Sequence, residues 1–164
     1  MYPATLKKIV LSLGSNLGNR QKNIKRALKY LEKLPLKIIK LSRIYESKPW
    51  GFQSSNFFLN MILLGETPLS PWALIFEIKK IESKMGRKLL KRKNTYEDRI
   101  IDIDIIFYED LIIDSKTLTI PHPYMHKRDF VMIPSLEVIS NWVHPILKKP
   151  LIEIYKESNC KTFE

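Results

Sequence analysis

Two aspartates stand two residues apart in an otherwise apolar stretch, residues 101–107, and an arginine precedes them. Asp102 and Asp104 alternate with isoleucines, and Arg99 stands three residues before the first carboxylate. β-Branched and aromatic neighbours favour a strand, whose side chains alternate between faces, so both carboxylates share one face. Two such charges lie about 7 Å apart and are costly on a half-buried sheet unless a cation neutralises them. Oxygen ligands suit a hard ion such as Mg²⁺ bound together with substrate phosphates, although a solvated strand face explains these residues alone equally well.

A basic cluster precedes this strand and suggests an anion close to the carboxylates. The chain has 28 Lys and Arg against 17 Asp and Glu, a net charge of +11. Such an excess attracts polyanions, either nucleic acid or phosphorylated small molecules. The cluster consists of Lys84, Arg87, Lys88, Lys91, Arg92 and Lys93. Because it contains few acids and ends close to the Asp pair, it favours a local anion site over a uniformly basic surface.

Composition limits the class of protein. At 164 residues, with 45% hydrophobic and 27% charged residues, the chain is expected to form one globular domain over residues 1–164. No apolar run approaches the roughly 20 residues of a membrane span. The single cysteine, Cys160, lies near the C-terminus and has no internal disulfide partner. We therefore expect a cytoplasmic protein that does not act at a membrane.

Hydrophobic periodicity predicts the elements that position the carboxylates. Apolar residues at helical spacing follow Asn19 and again follow Ser70-Pro71, and each of these sites is suited to begin a helix. The predicted order is a strand at 8–13, a helix at 20–34, strands at 36–45 and 57–64, a helix from 71 to 86, and the Asp strand. This β-α-β-β-α-β order is the ferredoxin-like α+β pattern, one antiparallel sheet with helices packed on it. We expect helices on one sheet face only, loops and ligand on the other, and a C-terminal helix over 134–142.

Four motifs follow one another along the chain. The first is Leu11-Ser12-Leu13-Gly14-Ser15-Asn16-Leu17-Gly18-Asn19-Arg20, and the second is Ser47-Lys48-Pro49-Trp50-Gly51 followed by Phe58-Leu59-Asn60. The third is Arg99-x-x-Asp102-x-Asp104, and the fourth is Ile120-Pro121-His122 with Arg128-x-Phe130. Each motif alone is weak, but together they extend from about residue 8 to residue 145, and in this order they resemble the 6-hydroxymethyl-7,8-dihydropterin pyrophosphokinases of folate biosynthesis.

The resemblance implies a reaction and a set of site residues. A ferredoxin-like enzyme of this family transfers pyrophosphate from ATP to the pterin hydroxymethyl oxygen with two Mg²⁺ ions and releases AMP. Asp102 and Asp104 would be the metal ligands, and Arg87, Arg99, Asp102 and Asp104 the catalytic residues. The pterin would contact Ser47, Pro49, Trp50, Phe58, Asn60 and Phe130. ATP would contact Glu82, Arg87, Arg99, Ile105, His122 and Arg128. The expected partners are these two small molecules, and a monomer is expected.

Two other function classes remain to be compared with this one. A ferredoxin-like sheet with exposed aromatic residues and a +11 charge is also what an RNA-binding module offers. The carboxylates oppose that reading, since they repel phosphate in the absence of metal, and the chain lacks the aromatic-rich RNP strand. A metal-dependent nuclease would use the same Asp pair but needs further acids. The chain also departs from the family pattern before Arg99, where Tyr96-Glu97-Asp98 replaces a common Trp-Gly-Pro.

Overall fold

The computed structural model describes residues 5–49, 54–86 and 98–160. Residues 159 and 160 are described by their backbone alone. Seven strands and four α-helices follow one another in these ranges. The strands are β1 (Lys7–Ser15), β2 (Lys37–Leu41), β3 (Tyr45–Ser47), β4 (Phe58–Thr67), β5 (Asp102–Tyr108), β6 (Ile113–Asp114) and β7 (Thr119–Ile120). The helices are α1 (Arg20–Glu32), α2 (Pro71–Lys84), α3 (Asp129–Ile139) and α4 (Leu151–Cys160), with a 3₁₀ turn at Met125–Lys127.

The main sheet is antiparallel and has the order β2-β4-β1-β5. The short strand β3 pairs with β4 along the same edge as β2, but nearer to the start of β4. This order, with α1 after β1 and α2 after β4, is the ferredoxin-like arrangement predicted from the element order. The two central strands are β1 and β4, while β5 lies at one end of the described sheet. The carboxylate-bearing strand is therefore next to the strand that carries the first sequence motif.

One face of the sheet packs against α1 and α2 to form the larger core. Leu11 and Leu13 of β1 face this core together with Ile103 and Ile105 of β5. Both helices begin where the sequence predicts: the Asn19 side chain accepts from the Lys22 N–H, and the Ser70 side chain accepts from the Ala73 N–H. Packing in the larger core therefore determines which residues of β1 and β5 face the helices, and the residues that alternate with them face the other side of the sheet.

The expectation that the other face is left entirely to loops and ligand is wrong. Half of that face packs against α3 and α4 in a second core, which contains Val10, Ile62, Ile106 and Phe107 from the sheet. The helix predicted at 134–142 begins earlier, at Asp129, and holds Pro134 inside it. Pro134 is buried in this helix, so packing outweighs the ordinary preference of proline for a helix start.

A β-bulge separates the two halves of the second face. The register of β1 with β5 shifts between Val10 and Leu11, so that Val10 lies opposite Phe107 while Leu11 lies opposite Ile105. The extra residue interrupts alternation, and Ile106 and Phe107 both join the second core. Beyond the bulge the alternation resumes, and Asp102 and Asp104 stand on the part of this face that α3 and α4 leave uncovered.

Smaller differences concern strand limits. The strand predicted at 36–45 is two strands, β2 and β3. Ser42 lies between them, and its Oγ donates to the Arg43 carbonyl and accepts from the Ile62 N–H. The strand predicted at 57–64 continues to Thr67. Within the described ranges, no helix has the length and apolar character needed to cross a membrane.

Candidate active site

A pocket of about 200 Å³ opens on the uncovered half of the second sheet face. Its floor is made of alternating residues from three adjacent strands, in the order β4, β1, β5. Gly14 lies opposite Asn60 on one side and Asp102 on the other, and Ser12 lies opposite Asp104. The pocket is lined by Ser12, Gly14, Lys48, Phe58, Asn60, Arg99, Asp102, Asp104, His122, Pro123, Tyr124, Arg128 and Phe130.

The two aspartates share the pocket face, as strand alternation predicts. Burial is the main cause that raises the pKa of Asp104 to about 7, and the charges of Asp102 and Glu82 raise it further. Lys79 and Arg128 act in the opposite direction. A site that resists the second negative charge this strongly suits a divalent cation, because the cation would relieve both the burial and the repulsion. The two carboxylates supply the oxygen ligands that Mg²⁺ prefers alongside substrate phosphates.

Arg99 lies at the edge of this carboxylate pair. Its Nη1 is 3.0 Å from Oδ1 of Asp102, and its side chain is 15% exposed. A guanidinium that is largely buried and stays charged can bind phosphate oxygens in two places at once. The structure therefore places a cation and the two carboxylates at one end of the pocket.

Aromatic and amide groups lie at the other end. Phe58 and Asn60 are neighbours on one face of β4, and Phe130 reaches the pocket from the start of α3. The Asn60 Nδ2 donates to the Ser47 Oγ at 2.8 Å and to the Tyr45 carbonyl at 3.4 Å. Its amide hydrogens are therefore directed to β3, which leaves Oδ1 as the group directed to the pocket floor. Ser47 orients Asn60.

His122 and Arg128 close the side of the pocket next to the carboxylates. The His122 N–H donates to the Ile106 carbonyl, and its Nδ1 accepts from the Tyr124 N–H at 3.2 Å. Burial, with the charge of Arg128, lowers the pKa of His122 to about 4, so the ring is neutral at pH 7 and carries its proton on Nε2. The Arg128 guanidinium lies 5.5 Å from the Tyr124 ring centroid and 5.6 Å from that of Phe130. These contacts hold a charged group and a hydrogen-bond donor at the pocket wall.

Among the described residues, four of the predicted contacts do not line the pocket: Ser47, which bonds Asn60, and Glu82, Ile105 and Pro49. Glu82 is 1% exposed on α2, where its Oε2 accepts from the Ile103 N–H at 2.9 Å and its Oε1 is 3.3 Å from Lys79 Nζ. The Ile105 side chain is in the larger core on the opposite sheet face, so a contact with ATP would have to come from its backbone. Pro49 is half-buried after β3 and is not among the described pocket-lining residues. Trp50 and Arg87 lie outside the described residues.

Sequence reasoning did not assign Ser12, Gly14, Lys48 or Tyr124 to the site. Ser12 carried a detectable signal, because it is a polar residue inside the apolar run 9–13. Gly14 lies where a Cβ would come within 3.4 Å of Asn60 Oδ1 and 3.5 Å of Phe58 Cδ1. Pro123 also lines the pocket. Strand partners such as Ser12 and Asp104 are not visible in sequence until the register is known.

Comparisons with known proteins find relatives along nearly the whole chain. The family model described as 7,8-dihydro-6-hydroxymethylpterin-pyrophosphokinase (HPPK) matches residues 10–140. The 2-amino-4-hydroxy-6-hydroxymethyldihydropteridine pyrophosphokinase of Aquifex aeolicus is 44% identical over 155 residues, which make up 94% of each chain. The protein of the same name from Haemophilus influenzae is 38% identical and the match covers 82% of this chain and 83% of that one.

Longer proteins also contain a region similar to this chain. The folic acid synthesis protein fol1 of Pneumocystis carinii is 41% identical over 84% of this chain, which spans 18% of that protein. A crystal structure of Plasmodium falciparum HPPK-DHPS with pteroate superimposes with a TM-score of 0.76 at 17% identity. That match covers 99% of this chain and 44% of the Plasmodium chain, and it supports the fold. The extent of the family match and the identity to full-length relatives show that this chain belongs to the 7,8-dihydro-6-hydroxymethylpterin-pyrophosphokinase family.

Proposed function

We propose that this chain carries out its family's reaction in the pocket described above. It is a pyrophosphokinase of folate biosynthesis, with ATP as co-substrate and 6-hydroxymethyl-7,8-dihydropterin as acceptor. The observation that carries the assignment to this pocket is the division of its floor across three strands. Carboxylates occupy β5, and an aromatic ring and an amide occupy β4, with Gly14 of β1 between them. One pocket therefore offers adjacent sites for a polyphosphate and for a flat heterocycle.

The heterocycle half of the pocket suits a pterin. Phe58 and Phe130 line this half and supply aromatic rings for stacking, and Asn60 Oδ1 accepts from an N–H on the edge of the heterocycle. Ser47 holds Asn60 in the orientation that makes this possible. The absence of a side chain at Gly14 leaves the ring room to lie against the floor. The family resemblance adds Pro49 and Trp50 to this half.

The phosphate half suits ATP with two Mg²⁺ ions, for which Asp102 and Asp104 are the protein ligands. When bound, the metal ions neutralise charge on the triphosphate and on the two carboxylates. Arg99 and Arg128 bind phosphate oxygens, and the neutral His122 donates from Nε2. The same resemblance assigns Arg87 and the Ile105 backbone to the nucleotide. In the reaction the hydroxymethyl oxygen loses its proton to solvent and forms a bond to the β-phosphorus, while the bond from that phosphorus to the AMP oxygen breaks and its electron pair leaves with AMP. Positioning and charge neutralisation supply most of the rate enhancement.

The protein is further proposed to work as a cytoplasmic monomer on small molecules. The single cysteine suits a reducing compartment. The Asp pair on the pocket floor argues against nucleic acid as the ligand, because it repels phosphates that arrive without metal. An RNA-binding module would instead show an affinity for generic RNA that falls with salt and no turnover of ATP.

Product analysis tests the proposed reaction. The protein is incubated with Mg-ATP and 6-hydroxymethyl-7,8-dihydropterin, and the nucleotide products are separated. We expect AMP in equal amount to the pterin diphosphate, and no AMP when either the pterin or Mg²⁺ is omitted. ADP formation, or the absence of any product, would contradict the proposal. Asp114 is exposed in β6, so Asp114→Asn should retain full turnover and serves as the control for substitutions of the pocket aspartates.

A further inference from the structure

A buried asparagine outside the pocket holds the backbone of Arg99 from both sides. The Asn16 N–H donates to the Arg99 carbonyl at 2.9 Å, and Asn16 Oδ1 accepts from the Arg99 N–H at 2.6 Å. Asn16 is 2% exposed, so water does not compete for these bonds. The position of the Arg99 Cα is therefore tied to the loop that follows β1.

Asp98 fixes the orientation of the Asn16 amide. Asn16 Nδ2 donates to Asp98 Oδ1 at 2.7 Å and to the Asn56 carbonyl at 3.1 Å. The second carboxylate oxygen, Asp98 Oδ2, accepts from Asn56 Nδ2 at 2.9 Å. Because both neighbours of Asn16 Nδ2 are acceptors, the amide cannot rotate by half a turn without facing oxygen to oxygen. Its Oδ1 is thereby directed at the Arg99 N–H.

The hydrogen bonds form a continuous chain from the loop before β4 to the two aspartates of β5, Asp102 and Asp104. They run from Asn56 through Asp98 and Asn16 to the Arg99 backbone, and the Arg99 side chain then pairs with Asp102 at 3.0 Å. We propose that Asn16 and Asp98 are positioning residues that set Arg99 for pyrophosphoryl transfer. This inference rests on the proposed function, since it assigns Arg99 to the charge that develops on the phosphates. An arginine displaced by a fraction of an ångström still attracts ATP, but it stabilises the charge of the transition state less well.

Two substitutions at Asp98 separate hydrogen bonding from charge. Asp98→Ala removes both acceptor oxygens, so the Asn16 amide loses the closer of the two acceptors that orient it and keeps only the Asn56 carbonyl. Asp98→Asn removes the negative charge but keeps an acceptor: Oδ1 accepts from Asn16, and Nδ2 donates to the Asn56 amide once that exposed side chain rotates. We expect Asp98→Ala to lower kcat roughly tenfold with KM for ATP and pterin changed less than about threefold. Asp98→Asn should restore most of kcat.

Two controls test whether the effect passes through Arg99. Asp114→Ala removes one acid from an exposed position in β6 and should leave kcat and both KM values at the wild-type level. Asp98→Ala made in an Arg99→Ala background should cause no further loss of kcat, because the group being positioned is gone. Additive losses in the double variant would contradict a positioning role.

Amide hydrogen exchange gives a readout that does not depend on turnover. The Arg99 N–H, held by Asn16 Oδ1, should exchange faster in Asp98→Ala than in the wild type and Asp98→Asn, while amides of the central strand β1 keep their protection. Wild-type kcat in Asp98→Ala, or equal loss of kcat in Asp98→Ala and Asp98→Asn, would overturn the inference. Failure of the wild-type protein to form AMP would instead contradict the proposed function, and the exchange result would stand separately.

Discussion

The two halves of one sheet face have opposite chemistry although they use the same strands. On one side of the bulge at Val10–Leu11, the face carries Ile62, Ile106 and Phe107 and is sealed by α3 and α4. On the other side it carries Ser12, Asp104 and Asn60 and is open to a pocket. The comparison teaches that strand alternation determines which side chains share a face, while helix coverage determines whether that face becomes core or site. Substitutions in the two halves should therefore have separable effects on stability and turnover.

The largest expected effect on activity is at Asp104. Asp104→Asn keeps the shape of the side chain and removes a ligand charge, so we expect turnover to fall at least about 100-fold. Without metal, the same variant should unfold at a higher urea concentration than the wild type at pH 8, because burial and the charge of Asp102 oppose ionisation of Asp104. Product formation and urea titration measure the two quantities. A variant that loses stability and activity together would contradict the separation.

The largest expected effect on stability is at Phe107, on the other half of the face. This ring is fully buried, stacks on Trp142 at 5.4 Å and meets His144 edge-on at 5.6 Å. Phe107→Ala should lower the free energy of unfolding by about 3–5 kcal/mol. Phe76→Ala, at a ring that is 63% exposed on α2, is the control and should change it by less than about 0.5 kcal/mol. Turnover per folded molecule of Phe107→Ala, measured at low temperature, should remain within a few-fold of the wild type.

The pH dependence of stability should reveal the ionisation of Asp104, which lies on the half of the sheet face that is open to the pocket. Asp104 has a raised pKa in the folded state, so its protonated form stabilises the fold at low pH and this contribution is lost as pH rises. The stability of Asp104→Asn relative to the wild type should therefore grow between its ordinary pKa of 3.8 and about pH 7 and be constant above that. His122 and His144, whose pKa values are lowered to about 4, act oppositely but cancel in this difference. A difference that stays flat with pH in metal-free buffer would contradict the assignment.

The smallest expected effect concerns the pocket floor. Gly14→Ala adds a Cβ at 3.4 Å from Asn60 Oδ1 and 3.5 Å from Phe58 Cδ1, near ordinary contact distance. We expect a few-fold higher KM for the pterin, an unchanged KM for ATP and a change in unfolding free energy below about 1 kcal/mol. Steady-state kinetics with each substrate varied in turn would measure this, and an equal rise in both KM values would show that Gly14 does not face the pterin half.

Local patterns in the sequence were sufficient for the elements that carry the site. Alternation along residues 101–107 predicted the shared face of the two aspartates, and the caps Asn19 and Ser70 marked the starts of α1 and α2. The ferredoxin-like order followed from these elements. The second core was not predictable in this way, because α3 contains Pro134 and has apolar residues on several sides. Its position depends on contacts with β4 that lie about 70 residues away in sequence.

The parts of the site that could not be predicted depend on tertiary contacts. Ser12 joins the pocket only through its register with Asp104. Asp98 looked like a departure from the family pattern, and its role follows from hydrogen bonds to residues 42 and 82 positions away. The family resemblance predicts that Glu82 contacts the nucleotide. The structure shows a buried carboxylate that accepts from the Ile103 backbone.

The bond from Ile103 to Glu82 also occupies a backbone group at the margin of the sheet. In the described sheet β5 has a paired neighbour on one side only, and a strand in that position can template pairing with another chain. Glu82 occupies the outward Ile103 N–H, and the His122 N–H occupies the Ile106 carbonyl further along the strand. A residue predicted to bind nucleotide thus supplies a hydrogen-bond partner to a backbone group at the margin of the carboxylate strand.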